Sequence, residues 1–159
     1  MEIIGKTISV WLKLNNGANV NKFALQKRSQ SEKHFPGVCQ ATWAGKVEVG
    51  ETVENAIRRE CEEELGSEFK NNFDFNSLKF ISQEEFTMNE TSWKSYNYTA
   101  TISEENLKNI KFHTGAEPQF IFVNQNNEIY PLSSNKNPKE DIILFDDQYK
   151  ILEKILNEH

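Results

Sequence analysis

Histidine, cysteine and positive charge are all scarce in this chain, and each shortage excludes something. The three histidines, His34, His113 and His159, are too scattered to sit at ligand spacing, and neither cysteine joins them, so a zinc centre is not expected. Only Cys39 and Cys61 are present, and Cys61 falls on an apolar stripe, so both read as reduced structural thiols, not a disulfide. Lysine and arginine number 18 against 24 acidic residues, a net charge of -6, which argues against broad binding to nucleic-acid backbones. No apolar run approaches the length of a membrane span, and the N-terminus lacks the basic region and apolar stretch of a secretory signal, so a cytoplasmic location is expected. No internal repeat is visible. The 159 residues suit one domain, 1–159, large enough to bury a core without staples.

What the chain does have is concentrated between Gly45 and Gly66, GKVEVGETVENAIRRECEEELG. At about 100° per residue, a helix beginning near Thr52 places Val53, Ala56, Ile57, Cys61 and Leu65 on one face. Asn55, Arg58, Arg59 and Glu62 fall opposite, as a solvated face should. Glu60 and Glu64 land inside the apolar arc, with Glu63 at its edge. A glutamate run on a helix is usually a solvated face, but this phase is wrong for one. Desolvating like charges together costs kilocalories each unless a cation compensates. Oxygen-only ligands favour Mg²⁺, Mn²⁺ or Ca²⁺.

The spacing of Gly45, five residues, Glu51, seven residues, then Arg59-Glu60-Cys61-Glu62-Glu63-Glu64-Leu65-Gly66 resembles the Nudix box, G-x5-E-x7-R-E-U-x-E-E-x-G-U with U a bulky aliphatic. All seven fixed residue types are present, and chance agreement in a chain this long is on the order of 10⁻⁶. Cys61 stands for the first aliphatic and packs as a small hydrophobe. Ser67 stands for the last and is expected to loosen the packing of the helix end.

The resemblance implies hydrolysis of a diphosphate linkage, by water attack on phosphorus, in a nucleoside diphosphate joined to another moiety: a nucleoside triphosphate, nucleotide sugar, ADP-ribose or dinucleoside polyphosphate. It implies Mg²⁺ as cofactor, with Mn²⁺ able to substitute, which would turn an acidic pocket into a local anion site. By position in the box, Glu60 and Glu64 correspond to the principal metal ligands, Glu63 to a further ligand or the residue that orients or deprotonates the water, and the Gly45 carbonyl to an additional ligand. Glu51, Arg59 and Gly66 correspond to structural positions, Arg59 being able to pair with Glu63 and with Glu51. Outside the box, Arg28 is either a cation toward the phosphates or a surface arginine, and Glu117 either a late carboxylate ligand or base or a loop glutamate. Phe35, Trp93, Tyr96 and Tyr98 either stack on a nucleoside or pack in the core and at strand edges. The partner expected is a small molecule; a homodimer is compatible.

The implied fold class is α/β (α+β), an α/β/α sandwich with a mixed, curved sheet. Ile3 to Leu14 alternates as a strand, with Ile8, Val10 and Leu12 on one side. Further strands are expected at Phe23 to Leu25, in the run through Trp43, and at Leu78 to Phe86, Trp93 to Ile102 and Gln119 to Val123. A closing helix from Asp146 to Leu156 would bury Ile151, Leu152 and Ile155. Asn124 to Asn127 and Ser133 to Asn137 read as loops.

Two other readings belong to the same resemblance. An isopentenyl diphosphate isomerase of this type needs a cysteine next to the box glycine and a histidine two residues after it, where this chain has Ala44 and Val47. A catalytically silent nucleotide-sensing domain would need a fused DNA-binding module, for which the chain past Asn135 is short and acidic.

Overall fold

The computed structural model describes residues 4–15, 17–111 and 119–158; Glu117 and His113 lie outside them. Within these, strands β1 (Ile4–Leu14), β2 (Lys22–Lys27), β3 (Cys39–Gln40) and β4 (Trp43–Lys46) precede helices α1 (Val53–Leu65) and α2 (Ser67–Asn72). Strands β5 (Lys79–Met88), β6 (Thr91–Ile102), β7 (Gln119–Val123), β8 (Ile129–Pro131) and β9 (Ile142–Leu144) then lead to α3 (Asp146–Asn157).

The strands form one mixed sheet, ordered β5-β6-β1-β2-β3-β9-β8, with β4 also on β1 and β7 also on β2. Its central strand, β1, runs parallel to β6 and antiparallel to β2 and β4. Residues 8–12 of β1 are buried on both faces, which is why their hydrophobicity is nearly continuous. Ile8, Val10 and Leu12 face the core under α1 and α2, with Trp43, Ala56, Ile57, Cys61 and Leu65. Trp11 faces a second core under α3, with Phe23, Leu25, Cys39, Ile151, Leu152 and Ile155. The chain is thus a mixed sheet between two helical layers. The two cysteines are free, belong to different cores, and are held as thiols because burial pushes each pKa up to about 12. No described helix is long and apolar enough to cross a membrane.

The sheet forks along its central strand. β1 pairs with β4 through residues 7–10 and with β2 through residues 12–14, so beyond Leu12 one neighbour replaces the other. α1 packs over this fork. It starts where Thr52 Oγ1 accepts the amide of Asn55 at 3.1 Å, and ends where Gly66 turns with φ 92° against the carbonyl of Lys111. Ser67 opens α2, and the packing a bulky residue there would give comes from Phe69, buried and stacked on Phe73 at 5.6 Å, both edge-on to Trp43.

Candidate functional site

α1 delivers its carboxylates to the fork. Glu64 is half-buried; its carboxylate accepts from Gln26 Nε2 at 3.3 Å and from the amide of Ala44, and shares a hydrogen bond with Glu60. Gln26 Nε2 is itself anchored on the Thr42 carbonyl at 3.1 Å. Burial, then the neighbouring Glu60, raise the Glu64 pKa well above the ordinary carboxylate value. Two carboxyl groups in such contact require a shared proton or a cation.

Glycine is required at position 45 because Glu60 lies against its α-carbon: a β-carbon there would fall 2.6 Å from Glu60 Cγ and closer still to its carboxyl group. The ladder also fixes which way each peptide group points. Gly45 pairs with Ile8, and two residues on the Val47 amide donates to the Lys6 carbonyl at 2.8 Å, so the Gly45 amide and carbonyl belong to the ladder with β1. Ala44 and Lys46 turn theirs the other way: the Ala44 amide meets Glu64, and the Lys46 carbonyl accepts from Arg59 Nη2 at 2.8 Å. The expected Gly45 carbonyl ligand is therefore corrected. The carbonyl aimed into the fork beside the carboxylates is that of Ala44.

Arg59 ties the box together. Its Nε and Nη2 bond both oxygens of Glu51, at 2.8 and 3.0 Å, while Nη1 reaches Glu60 at 2.8 Å and Glu63 at 3.2 Å. These partners hold the arginine charged and hold the Glu51 pKa below its usual range. Glu51 also caps the loop, accepting the Glu48 amide at 3.0 Å. Glu63 is exposed on the open side of α1. Among the described residues no three histidine, cysteine, aspartate or glutamate side chains converge as a closed metal cage. Glu60, Glu64 and the Ala44 carbonyl form a partial oxygen set that fits a hard divalent cation.

The residues outside the box fare differently. Arg28 is turned into its own loop, donating to the His34 carbonyl at 3.1 Å and pairing with Glu32 at 3.3 Å. Tyr96 and Tyr98 pack against the core under α1. Trp93 stacks on Phe86 on the other face, with Lys46 Nζ 5.1 Å from its ring centre. Phe35 is exposed at φ 52° and meets Phe145 edge-on at 5.3 Å. Sequence reasoning missed Gln26, Ala44 and Lys46, although Lys46 adjoins the box glycine.

Comparison with known proteins places the chain in a family and matches its fold. A family profile described as the NUDIX domain matches residues 5–140. Among solved structures, the NUDIX domain of Shewanella oneidensis NrtR, complexed with ADP ribose, is similar at 14% identity and a TM-score of 0.63, over 99% of this chain and 90% of that one. The MutT protein of Methanosarcina mazei Go1 is similar at 15% identity and a TM-score of 0.54, over 78% of this chain and 79% of that one. Deinococcus radiodurans DR0079 is similar at 22% identity and a TM-score of 0.51, over 76% and 67%. No curated protein matches the chain.

Proposed function

The chain belongs to the NUDIX family, a family of pyrophosphohydrolases, and from that premise we propose that it hydrolyses the diphosphate linkage of a nucleoside diphosphate joined to a further group, with Mg²⁺ or Mn²⁺ as cofactor. The observation that supports the reading is the contact between the Glu60 and Glu64 carboxyl groups against the α-carbon of Gly45. Glu60, Glu64 and the Ala44 carbonyl would hold the cation, and Glu63, on the exposed side, is the group left for the water. When bound, the ion neutralises phosphoryl oxygens and lowers the pKa of water.

The protein's own residues do the rest. Glu63, exposed and steadied by Arg59 Nη1, takes the proton of the attacking water as the water oxygen bonds to phosphorus and the bridging P–O bond breaks. The leaving phosphate departs with the bridging oxygen and its electron pair. Glu117 remains a second base candidate from outside the described residues. Arg59 fixes the spacing of Glu51, Glu60 and Glu63 and so sets the geometry of the carboxylates.

The test is turnover of nucleoside triphosphates, ADP-ribose, nucleotide sugars and a dinucleoside polyphosphate with Mg²⁺, against EDTA. Metal-dependent phosphate chemistry on at least one is expected, lost in E60Q and E64Q. Absence of turnover on the whole panel would overturn the reading.

A further inference from the structure

Behind the box carboxylates, a chain of buried polar contacts starts inside the sheet and ends on Glu64. At the apex of the fork Thr42 is fully buried, and its hydroxyl accepts the Leu12 amide at 2.9 Å while donating to the Ala24 carbonyl at 2.6 Å. Leu12 and Ala24 are register partners on β1 and β2, so the hydroxyl bridges the two strands where they part. Held by both strands, Thr42 presents its own carbonyl from a fixed position.

That carbonyl anchors Gln26. The Gln26 amide nitrogen donates to it at 3.1 Å and to Glu64 Oε1 at 3.3 Å, which uses both of its N–H groups. Strand alternation aims the side chain this way: Phe23 and Leu25 enter the core under α3, so Ala24 and Gln26 point toward α1. With 7% of its surface exposed, Gln26 acts through the carboxylate it touches and not on a ligand in solvent.

The donor at this position is neutral, and the lack of charge has a consequence. A glutamate that is free to turn loses rotamer freedom when it takes up a cation, whereas a bond from an anchored amide restricts its carboxylate beforehand. Lysine or arginine at position 26 would also orient Glu64, but would neutralise the charge that a divalent ion needs. A neutral donor orients the ligand and leaves its charge for the cation.

We propose that Gln26 is a positioning residue for the divalent cation, holding the Glu64 carboxylate in its ligating orientation through an anchor that runs by Thr42 into the β1–β2 pair. The proposal rests on the hydrolase reading for the cation itself.

Calorimetric titration of the metal-free full chain with Mg²⁺ tests it without turnover. Q26M keeps the length of the side chain and loses both donors. At temperatures where its melting curve shows it folded, it should bind Mg²⁺ about 10–100-fold more weakly than the wild type, the loss usual for a partner that orients a metal ligand. Q26K keeps a donor and adds the charge, so it should fold in EDTA and show no Mg²⁺-induced rise in its melting temperature. F69A, less stable but with the contacts from Thr42 to Glu64 intact, should bind Mg²⁺ as the wild type does. Wild-type affinity in Q26M overturns the proposal, as does a Q26K protein that Mg²⁺ stabilises like the wild type. Weakened binding in F69A in step with its lost stability overturns it too, because the effect would then belong to the fold alone. A wild type that binds neither Mg²⁺ nor Mn²⁺ removes the cation site and this proposal together, whereas equal binding by wild type and Q26M keeps the site and removes Gln26 only.

Discussion

The carboxyl groups of Glu60 and Glu64 share a hydrogen bond in the fork between β4 and β2, and the folded state can tolerate this only with a proton or a cation between them. In metal-free protein the sign is defined. Burial and the neighbouring Glu60 raise the Glu64 pKa well above its unfolded value of 4.5, so in a window above 4.5 the native state keeps a proton that the unfolded chain has released. Stability in EDTA should therefore fall as pH rises through that window, and E64Q should flatten the slope. A divalent ion that binds the native site reverses the loss: Mg²⁺ at 100 times its dissociation constant should stabilise the wild type by about 2.7 kcal/mol and leave E60Q unmoved. Denaturant titrations at several pH values, with and without Mg²⁺, check both. The same substitutions should lower kcat by about 100-fold or more.

Gly45→Ala tests the steric half of the same contact. The added methyl group meets the Glu60 side chain and has nowhere to go, because the carboxyl is also held by Arg59 at 2.8 Å. The cost should be about 1–3 kcal/mol of overpacking, with Glu60 displaced. Thermal melts and Mg²⁺ affinity should both suffer. A fully stable G45A that binds Mg²⁺ as tightly as the wild type would remove Gly45 from the account.

Phe69 separates support from chemistry. It is buried against Phe73 and Trp43, and Trp43 in turn donates from Nε1 to the Ile57 carbonyl at 3.0 Å, inside α1. Phe69→Ala should cost about 3–5 kcal/mol of stability. At temperatures where the variant is folded, Mg²⁺ dependence should be retained, since the ring packs on Trp43 and Phe73. Urea unfolding paired with activity at low temperature distinguishes the two effects.

How much of this was legible in the chain depends on the kind of signal each part carries. The start of α1 at Thr52, the strand at Gln119–Val123 and the start of α3 at Asp146 are where periodicity and capping chemistry place them. α2 was not visible because SEFKNN is polar apart from Phe69, and six residues give no period to read. β8 and β9 are three residues each, below the length at which alternation means anything. The box carboxylates were legible because helical phase alone contradicts a solvated face. The direction of the Gly45 carbonyl was not, since it depends on which pairs in the β1–β4 ladder exchange hydrogen bonds.

Glu51 gives the sharpest test of the arginine network, because its titration has the opposite sign to that of Glu64. The two bonds from Arg59, first among the causes, and the Glu48 amide hold its folded pKa below 4.5. A depressed carboxylate contributes stability above its unfolded value and loses it as pH falls through the lower folded value. At neutral pH the wild type should therefore be more stable than E51Q, and the two should converge as pH falls through the depressed folded value, where Glu51 protonates and the substitution stops mattering. Arg59, released on one side in E51Q, still holds Glu60 and Glu63 at 2.8 and 3.2 Å, so Mg²⁺ affinity should change less than stability does. Acid titration of unfolding midpoints for both proteins decides the matter. Parallel curves down to the lowest pH would show that the Glu51 carboxylate adds nothing to the native state, and the network would then rest on Glu60, Glu63 and the Lys46 carbonyl.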